Sequence, residues 1–393
     1  MRVRLVTAFG WCLLAALIAF SIVRRQWDSD GHDFQAFHSA ATRWVHGENP
    51  YVATDAYPYK YAPPVLLVFA PFGLMDLSSA QRLYSLVTLL AVLAVPFFSL
   101  RILRRDAGLS PIQGLRWLGA GGLGMLASLR FLDNEFHSVN ANVLALALML
   151  AGYSALVTTA PRALGALGVT IGSFFKFHPF FALGLFLNPR SWKSVVFWIA
   201  AIFLVALLPD PRLWLELTRQ LRETRLDFLI DGRSNPMQGF YPLGVLAFGW
   251  ARDSLAPALL FAPLALAALV LAPKFDLWRP GERPSDRPAA FLLASLSLLT
   301  LAATISPLPW HHTYVLFWAA VPVSWICASR GERPYLLILV AILALTPRGI
   351  AGRSLADALE RSQIVLWVAL AQAALLMAQA RRLVHRRQKS AGM

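Results

Sequence analysis

Charge is scarce in this chain: 15% of its 393 residues are charged, against 57% hydrophobic. A soluble fold of this size does not bury that much apolar surface, so the composition describes a polytopic membrane protein. Cysteine is scarcer still. Cys12 and Cys327 both fall in predicted spans, with neither the density of a disulfide framework nor the spacing of a zinc site. No glycine-rich phosphate loop follows a strand, no nucleophile elbow occurs, and no heptad array, low-complexity stretch or internal repeat is present. These absences exclude a soluble nucleotide-sugar enzyme, a serine-triad hydrolase and a coiled-coil scaffold.

What charge there is leans basic, with a formal net charge of +15. The basic residues sit in short clusters between apolar runs, the pattern of the positive-inside rule and not of a nucleic-acid surface. Apolar runs predict helices near 4–23, 80–103, 115–131, 142–158, 163–177, 178–188, 194–209, 254–272, 289–306, 313–328, 335–346 and 362–380. That is an all-α bundle of about 12 transmembrane helices in a single domain, residues 1–393. Several runs are shorter than the roughly 20 residues that cross a bilayer, which allows broken or re-entrant segments. With both termini cytoplasmic, the whole formal excess of positive charge falls on the cytoplasmic side. The first run, opened by Arg2 and Arg4 and lacking a small-x-small cleavage site, reads as a retained signal anchor.

The first external loop, about 24–79, is the longest polar one and carries most of the candidate chemistry. Asp33 opens a helical pattern in which Phe34, Phe37, Ala41 and Trp44 share an apolar stripe. A carboxylate held at a helix start beside a dry cavity can take the proton of an attacking hydroxyl. The plain alternative is an N-cap aspartate, and Asp28 and Asp30 are nearby rivals that lack the patterned helix. Tyr57, Tyr59, Lys60 and Tyr61 then surround one cation with aromatic rings, suited to stacking on sugars and meeting a phosphate, although interfacial belts share that composition. Residues 61–75, proline-rich and short, read as a helix in the membrane interface. A second interfacial helix is expected at 213–230, with Leu213, Trp214, Leu217, Leu221 and Phe228 on one face and Glu216, Arg219, Gln220 and Glu223 elsewhere.

Further along, Lys176 and His178 stand at the break between two half-length apolar segments, where a buried cation needs an anion or a wet cavity. His311 and His312 follow Trp310 at the outer end of a span. Adjacent helical histidines point about 100° apart, poor geometry for one metal, and no H-x-x-x-H or Asp-x-Asp motif accompanies them. Asp133, Asn134, Glu135, His137 and Asn140 form a polar cluster between the third and fourth spans. It reads as a solvated loop, from which His137 is retained as a substrate-binding candidate.

Taken together, Asp33 with Ala40-Ala41, Gly47-x-x-Pro50-Tyr51, Tyr61-x-Pro63-Pro64, Lys176-x-x-Pro179 and Ser306-Pro307 leading to Trp310-His311-His312 resemble glycosyltransferase family 87. These are the polyprenol-phosphate-mannose-dependent mannosyltransferases of the C-type (GT-C) superfamily. Two departures stand out. The family often has Gly-Gln-x-Asn where this chain has His137-Ser138-Val139-Asn140, and it usually has a residue between the tryptophan and the two histidines. The resemblance implies a GT-C-type bundle in the cell membrane and transfer of a sugar, with mannose expected, from a polyprenyl phosphate to a glycolipid or glycan hydroxyl. Transfer would occur on the external or periplasmic face with inversion, needing no metal and no cofactor. By the same resemblance Asp33 is the catalytic base and His311 and His312 lie near the donor phosphate; Lys176 joins them as a phosphate-binding candidate, and Tyr59, Lys60, Tyr61, His137 and Trp310 are candidates for contact with substrate. The competing class is a transporter or lipid-carrier flippase, which would show paired halves or symmetric interrupted spans.

Overall fold

The computed structural model describes residues 10, 16–21, 24–27, 29, 31–107, 113–157, 162–175, 192–223, 238–240, 243–244, 287–305 and 311–391. Among these are helices and no strands: α1 His32–Val45, α2 Pro64–Gly73, α3 Leu77–Ala107, α4 Gln113–Ser138, α5 Asn142–Leu156, α6 Arg162–Phe174, α7 Trp192–Leu207, α8 Leu213–Glu223 and α9 Pro288–Ile305. After a 3₁₀ turn at His311–Leu316 come α10 Phe317–Cys327, α11 Arg333–Leu345, α12 Arg348–Ala351, α13 Arg353–Arg361 and α14 Ile364–Ala391.

Three of these helices are long and apolar enough to cross a membrane: Leu77–Asp106, Pro288–Ile305 and Ile364–His385. The pair Arg116–Ser138 and Asn142–Leu156 would make a fourth, though bent by 113° at its break. The count is below the twelve expected. Predicted spans 178–188 and 254–272 lie outside the described residues, and 4–23 is described only at positions 10 and 16–21. Four others, Pro64–Gly73, Leu164–Phe174, Val196–Leu207 and Arg333–Leu345, are apolar but short. Outward-facing Leu86, Leu90 and Phe97 on α3, with Phe203 and Leu204 on α7, are each more than half exposed. Apolar patches of that extent are unsuited to water and suited to lipid.

Helix α9 is buried on nearly every side, which is why its sequence is apolar around the whole circumference. It centres the larger of two cores. Helices α5 and α6 approach so closely that a Cβ on Gly152 would lie 2.6 Å from the Gly165 carbonyl oxygen. Small residues permit such contact between helices in a membrane.

The smaller core is aromatic and builds the first loop. Phe34, Phe37, Ala40 and Ala41 follow the spacing of one helix face, and all four are buried. Phe37 stacks on Phe69 of α2 at 4.2 Å between ring centroids, and Phe34 stacks on Tyr84 of α3 at 5.0 Å. Helix α2 starts at Pro64, whose ring suits the first turn. It ends at Gly73, packed directly on the α1 backbone. A Cβ there would sit 2.6 Å from the Ala41 carbonyl carbon and 2.7 Å from the Thr42 nitrogen. Gly73→Ala is therefore expected to force the two helices apart and cost about 1–3 kcal/mol, read as a lowered melting temperature of the detergent-solubilised protein.

Helix α8 keeps Leu213 and Leu217 inward, as its spacing predicts, but Gln220 is also buried and does not join the polar face expected for it. Residues 224–237, including Phe228, lie outside the described residues. The interval 347–361, assigned no element from sequence, holds α12 and α13.

Candidate functional site

Helix α1 begins after Gly31, which takes a left-handed conformation (φ 57°) and leaves the helix without a side-chain cap. Asp33 lies in the first turn, so it is not the N-cap aspartate of the plain alternative. Its side chain is partly buried. Asp28 and Asp30 lie outside the described residues.

Opposite Asp33 is the break between α4 and α5. Here Val139 adopts φ 52°, and the Asn140 amide N–H donates to the Glu135 carbonyl at 3.0 Å. The fully buried Glu135 carboxylate crosses the break to cap α5. It accepts the Val143 N–H at 2.9 Å and the Asn142 side-chain amide at 2.8 Å. An anion at a helix start is favoured by the backbone dipoles there. Because Glu135→Ala would leave two buried donors unmet, it is expected to destabilise the protein by about 2–3 kcal/mol, measured by thermal unfolding in detergent.

This network also aims Asn140. Its side-chain oxygen accepts from the Ala141 N–H at 2.6 Å and from the Asn142 amide at 2.9 Å, which leaves the NH₂ as the end that points across the break. That NH₂ donates to the Asp33 carboxylate and lies 3.4 Å from His312 Nε2. On the other side of the imidazole, His312 Nδ1 is 3.2 Å from the Asn134 side-chain oxygen. A proton on Nδ1 and a lone pair on Nε2 satisfy both neighbours, so the two asparagines select that tautomer. The Tyr61 hydroxyl also hydrogen-bonds the Asn140 side chain, and burial holds it well above the usual phenol range.

The candidates from sequence fall into distinct places. Asp33, Tyr61 and His312 converge on Asn140. Lys60 lies within electrostatic reach of Asp33; burial pushes its ammonium below the usual lysine range, and the carboxylate opposes that shift. Tyr59 is 1% exposed and packed among Phe37, Tyr51 and Tyr61. It supports the loop from within the aromatic core and presents no open face to a sugar. Lys176 and Trp310 lie outside the described residues.

His311 and His137 part from this group and line a neighbouring cavity of about 780 Å³, together with Asn134, Arg348 and the ion pairs Arg25–Asp133 and Arg130–Glu360. His137 is exposed, and its carbonyl accepts a hydrogen bond from Ser29. His311 is buried, and burial, then the charges of Arg130 and Arg348, hold its imidazole well below the usual histidine range. A phosphate here would therefore meet a neutral His311. Positive charge at this wall comes from arginines that sequence reasoning passed over. Arg130 carried a readable signal, an ionisable residue inside the predicted span 115–131. Glu135 and Asn140, which the sequence places in a solvated loop, are both buried.

The site thus consists of a carboxylate oriented by an amide, an imidazole of fixed tautomer on the same amide, and beyond that imidazole a cavity walled by ion-paired arginines, all within an apolar helical protein. Such an arrangement suits group transfer onto a hydroxyl at a membrane. The sequence pattern of glycosyltransferase family 87 matches residues 59–307, more than half of the chain, and the protein belongs to that family. It is accordingly a glycosyltransferase, with a sugar donor and an acceptor as its substrates. The matched region includes Lys60, Tyr61, Arg130, Glu135 and Asn140; Asp33 and the histidine pair lie outside it. No curated protein matches the chain.

Proposed function

We propose that this protein transfers a sugar, mannose being the first candidate, from a polyprenyl phosphate to a glycolipid or glycan hydroxyl, with Asp33 as general base. The reaction is placed at the external face of the cell membrane, with both termini cytoplasmic. The observation that carries the reading is the convergence of Asp33 and His312 on the Asn140 side chain. Residues 107 and 172 positions away in sequence are joined there at one buried amide.

In the step itself, Asp33 accepts the proton of the acceptor hydroxyl as that oxygen bonds to the anomeric carbon. The bond from the anomeric carbon to the phosphate oxygen breaks on the opposite side, and its electron pair leaves on the phosphate. Attack opposite the leaving group inverts the anomeric configuration. Lys60, partly buried beside the carboxylate, serves as a positive group for the substrate. Charge developing on the departing phosphate calls for fixed hydrogen-bond donors or cations beside it.

The test is sugar transfer by purified protein in detergent from a synthetic mannosyl polyprenyl phosphate. A labelled product with inverted anomeric configuration supports the reading. Lipid movement across vesicles without any glycosidic product would favour the flippase class and overturn it.

A further inference from the structure

The 3₁₀ turn at His311–Leu316 addresses the break between α4 and α5 with two successive side chains. His312 meets Asn140, and Thr313 lines a small second cavity together with Asn142. This cavity holds about 20 Å³, above the roughly 10–15 Å³ that one water molecule needs. We infer that it is the site of a single bound water bridging Thr313 Oγ1 to Asn142 Oδ1, and that Thr313 is thereby a positioning residue for the reaction. The positioning role rests on the proposed function; the water site does not.

Two buried side chains carry the inference. Asn142 is 4% exposed, and its NH₂ is committed to the Glu135 carboxylate at 2.8 Å and the Asn140 oxygen at 2.9 Å. Both of those neighbours are acceptors, so the amide has no alternative orientation. Its Oδ1 has no hydrogen-bond partner among the described residues. Thr313 is 2% exposed, and its hydroxyl has none there either. Two such atoms, from separate elements and in the wall of one cavity, call for a partner common to both.

The chemistry of each atom selects that partner. An amide oxygen only accepts, whereas a hydroxyl donates and accepts. The ligand must therefore donate to Asn142, accept from or donate to Thr313, and fit the volume. The rest of the wall is apolar, including Leu146, Met149, Leu299 and Leu316, too poor in oxygen to coordinate a hard cation. Water meets every requirement, and the apolar surroundings strengthen its hydrogen bonds.

The bridge ties the turn to the amide that aims the base. Asn142 donates to the Asn140 oxygen, and the Asn140 NH₂ donates to Asp33. Holding the Asn142 oxygen keeps its NH₂ on those acceptors. Without the bridge Asn142 is freer to turn, and the alignment of Asn140 and Asp33 loosens, although no group assigned to substrate has been removed.

The experiment joins a density map to kinetics of the full-length protein. At a resolution that shows ordered water, the wild-type cavity is expected to hold one peak within hydrogen-bond reach of Thr313 Oγ1 and Asn142 Oδ1. Thr313→Val, which keeps the shape and lacks the hydroxyl, is expected to lose that peak. In transfer from a mannosyl polyprenyl phosphate, Thr313→Val is expected to lower kcat about fivefold, the effect of one neutral hydrogen bond, at the parental KM. Thr313→Ser is expected to retain the peak and recover most of the rate.

A wild-type map without the peak overturns the water site. Parental kcat in Thr313→Val, or a raised KM at parental kcat, overturns the positioning role. So does a Thr313→Ser variant as slow as Thr313→Val, because packing and not the hydroxyl would then set the rate. If the peak is present in a protein that transfers no sugar, the water site stands and the positioning role falls with the proposed function.

Discussion

Asp33→Asn is expected to lower sugar transfer by about 10²–10⁴-fold, the contribution of a positioned general base, while the protein still inserts into the membrane and unfolds at nearly the parental temperature. The substitution preserves the shape of the side chain at a partly buried position in the first turn of α1. It also leaves intact the aromatic core beneath, formed by Phe34, Phe37 and Phe69. What it removes is the anion to which the proposed mechanism assigns the proton. Asn140 would still meet an oxygen acceptor, so orientation is retained and only the acid-base function is lost. The measurement is single-turnover transfer from a mannosyl polyprenyl phosphate, with carrier binding determined in parallel. Transfer at the parental rate would remove Asp33 from the mechanism.

The second large effect is expected at Asn140. Asn140→Ala removes a hydrogen bond to a charged group, worth about 1.5–3 kcal/mol, and should slow transfer by roughly 10–100-fold. Asn140→Asp is more informative because the size is unchanged while the donor becomes a second carboxylate beside Asp33. Two carboxylates sharing a site resist ionising together. The pair therefore retains a proton to higher pH, and because the base must be unprotonated to work, the acid limb of the rate profile should move upward in pH. A purely structural Asn140 would lower activity equally at every pH, leaving the profile in place.

The parts of the site legible in sequence are those whose local pattern survives folding. Phe34, Phe37 and Ala41 repeat at helical spacing, so α1 and the place of Asp33 on it follow from the letters alone. The helix at 64–73 follows in the same way from its prolines and apolar run. Asn140 and Glu135 carry no such pattern. Polar residues between two apolar runs look like a solvated loop, and they become interior only because α5 turns by 113° from the end of α4 and closes on the first loop. Arg348 was hidden for a different reason. Its short helix contributes no apolar stripe, and its significance comes from packing beside Arg130, more than 200 residues earlier. Tyr59 shows the opposite error: an aromatic residue in a polar loop resembles a sugar platform, yet the ring is consumed by packing.

Val139 gives the break between α4 and α5 a thermodynamic character of its own. A β-branched residue at φ 52° resides in a backbone region disfavoured by roughly 1–2 kcal/mol, so the polypeptide would relax into continuous helix if nothing opposed it. The opposition comes from Glu135 and Asn142, the groups that also direct Asn140 toward Asp33. The orientation of Asn140 and the strained backbone at Val139 are thus held by one latch, whose opening would release both together.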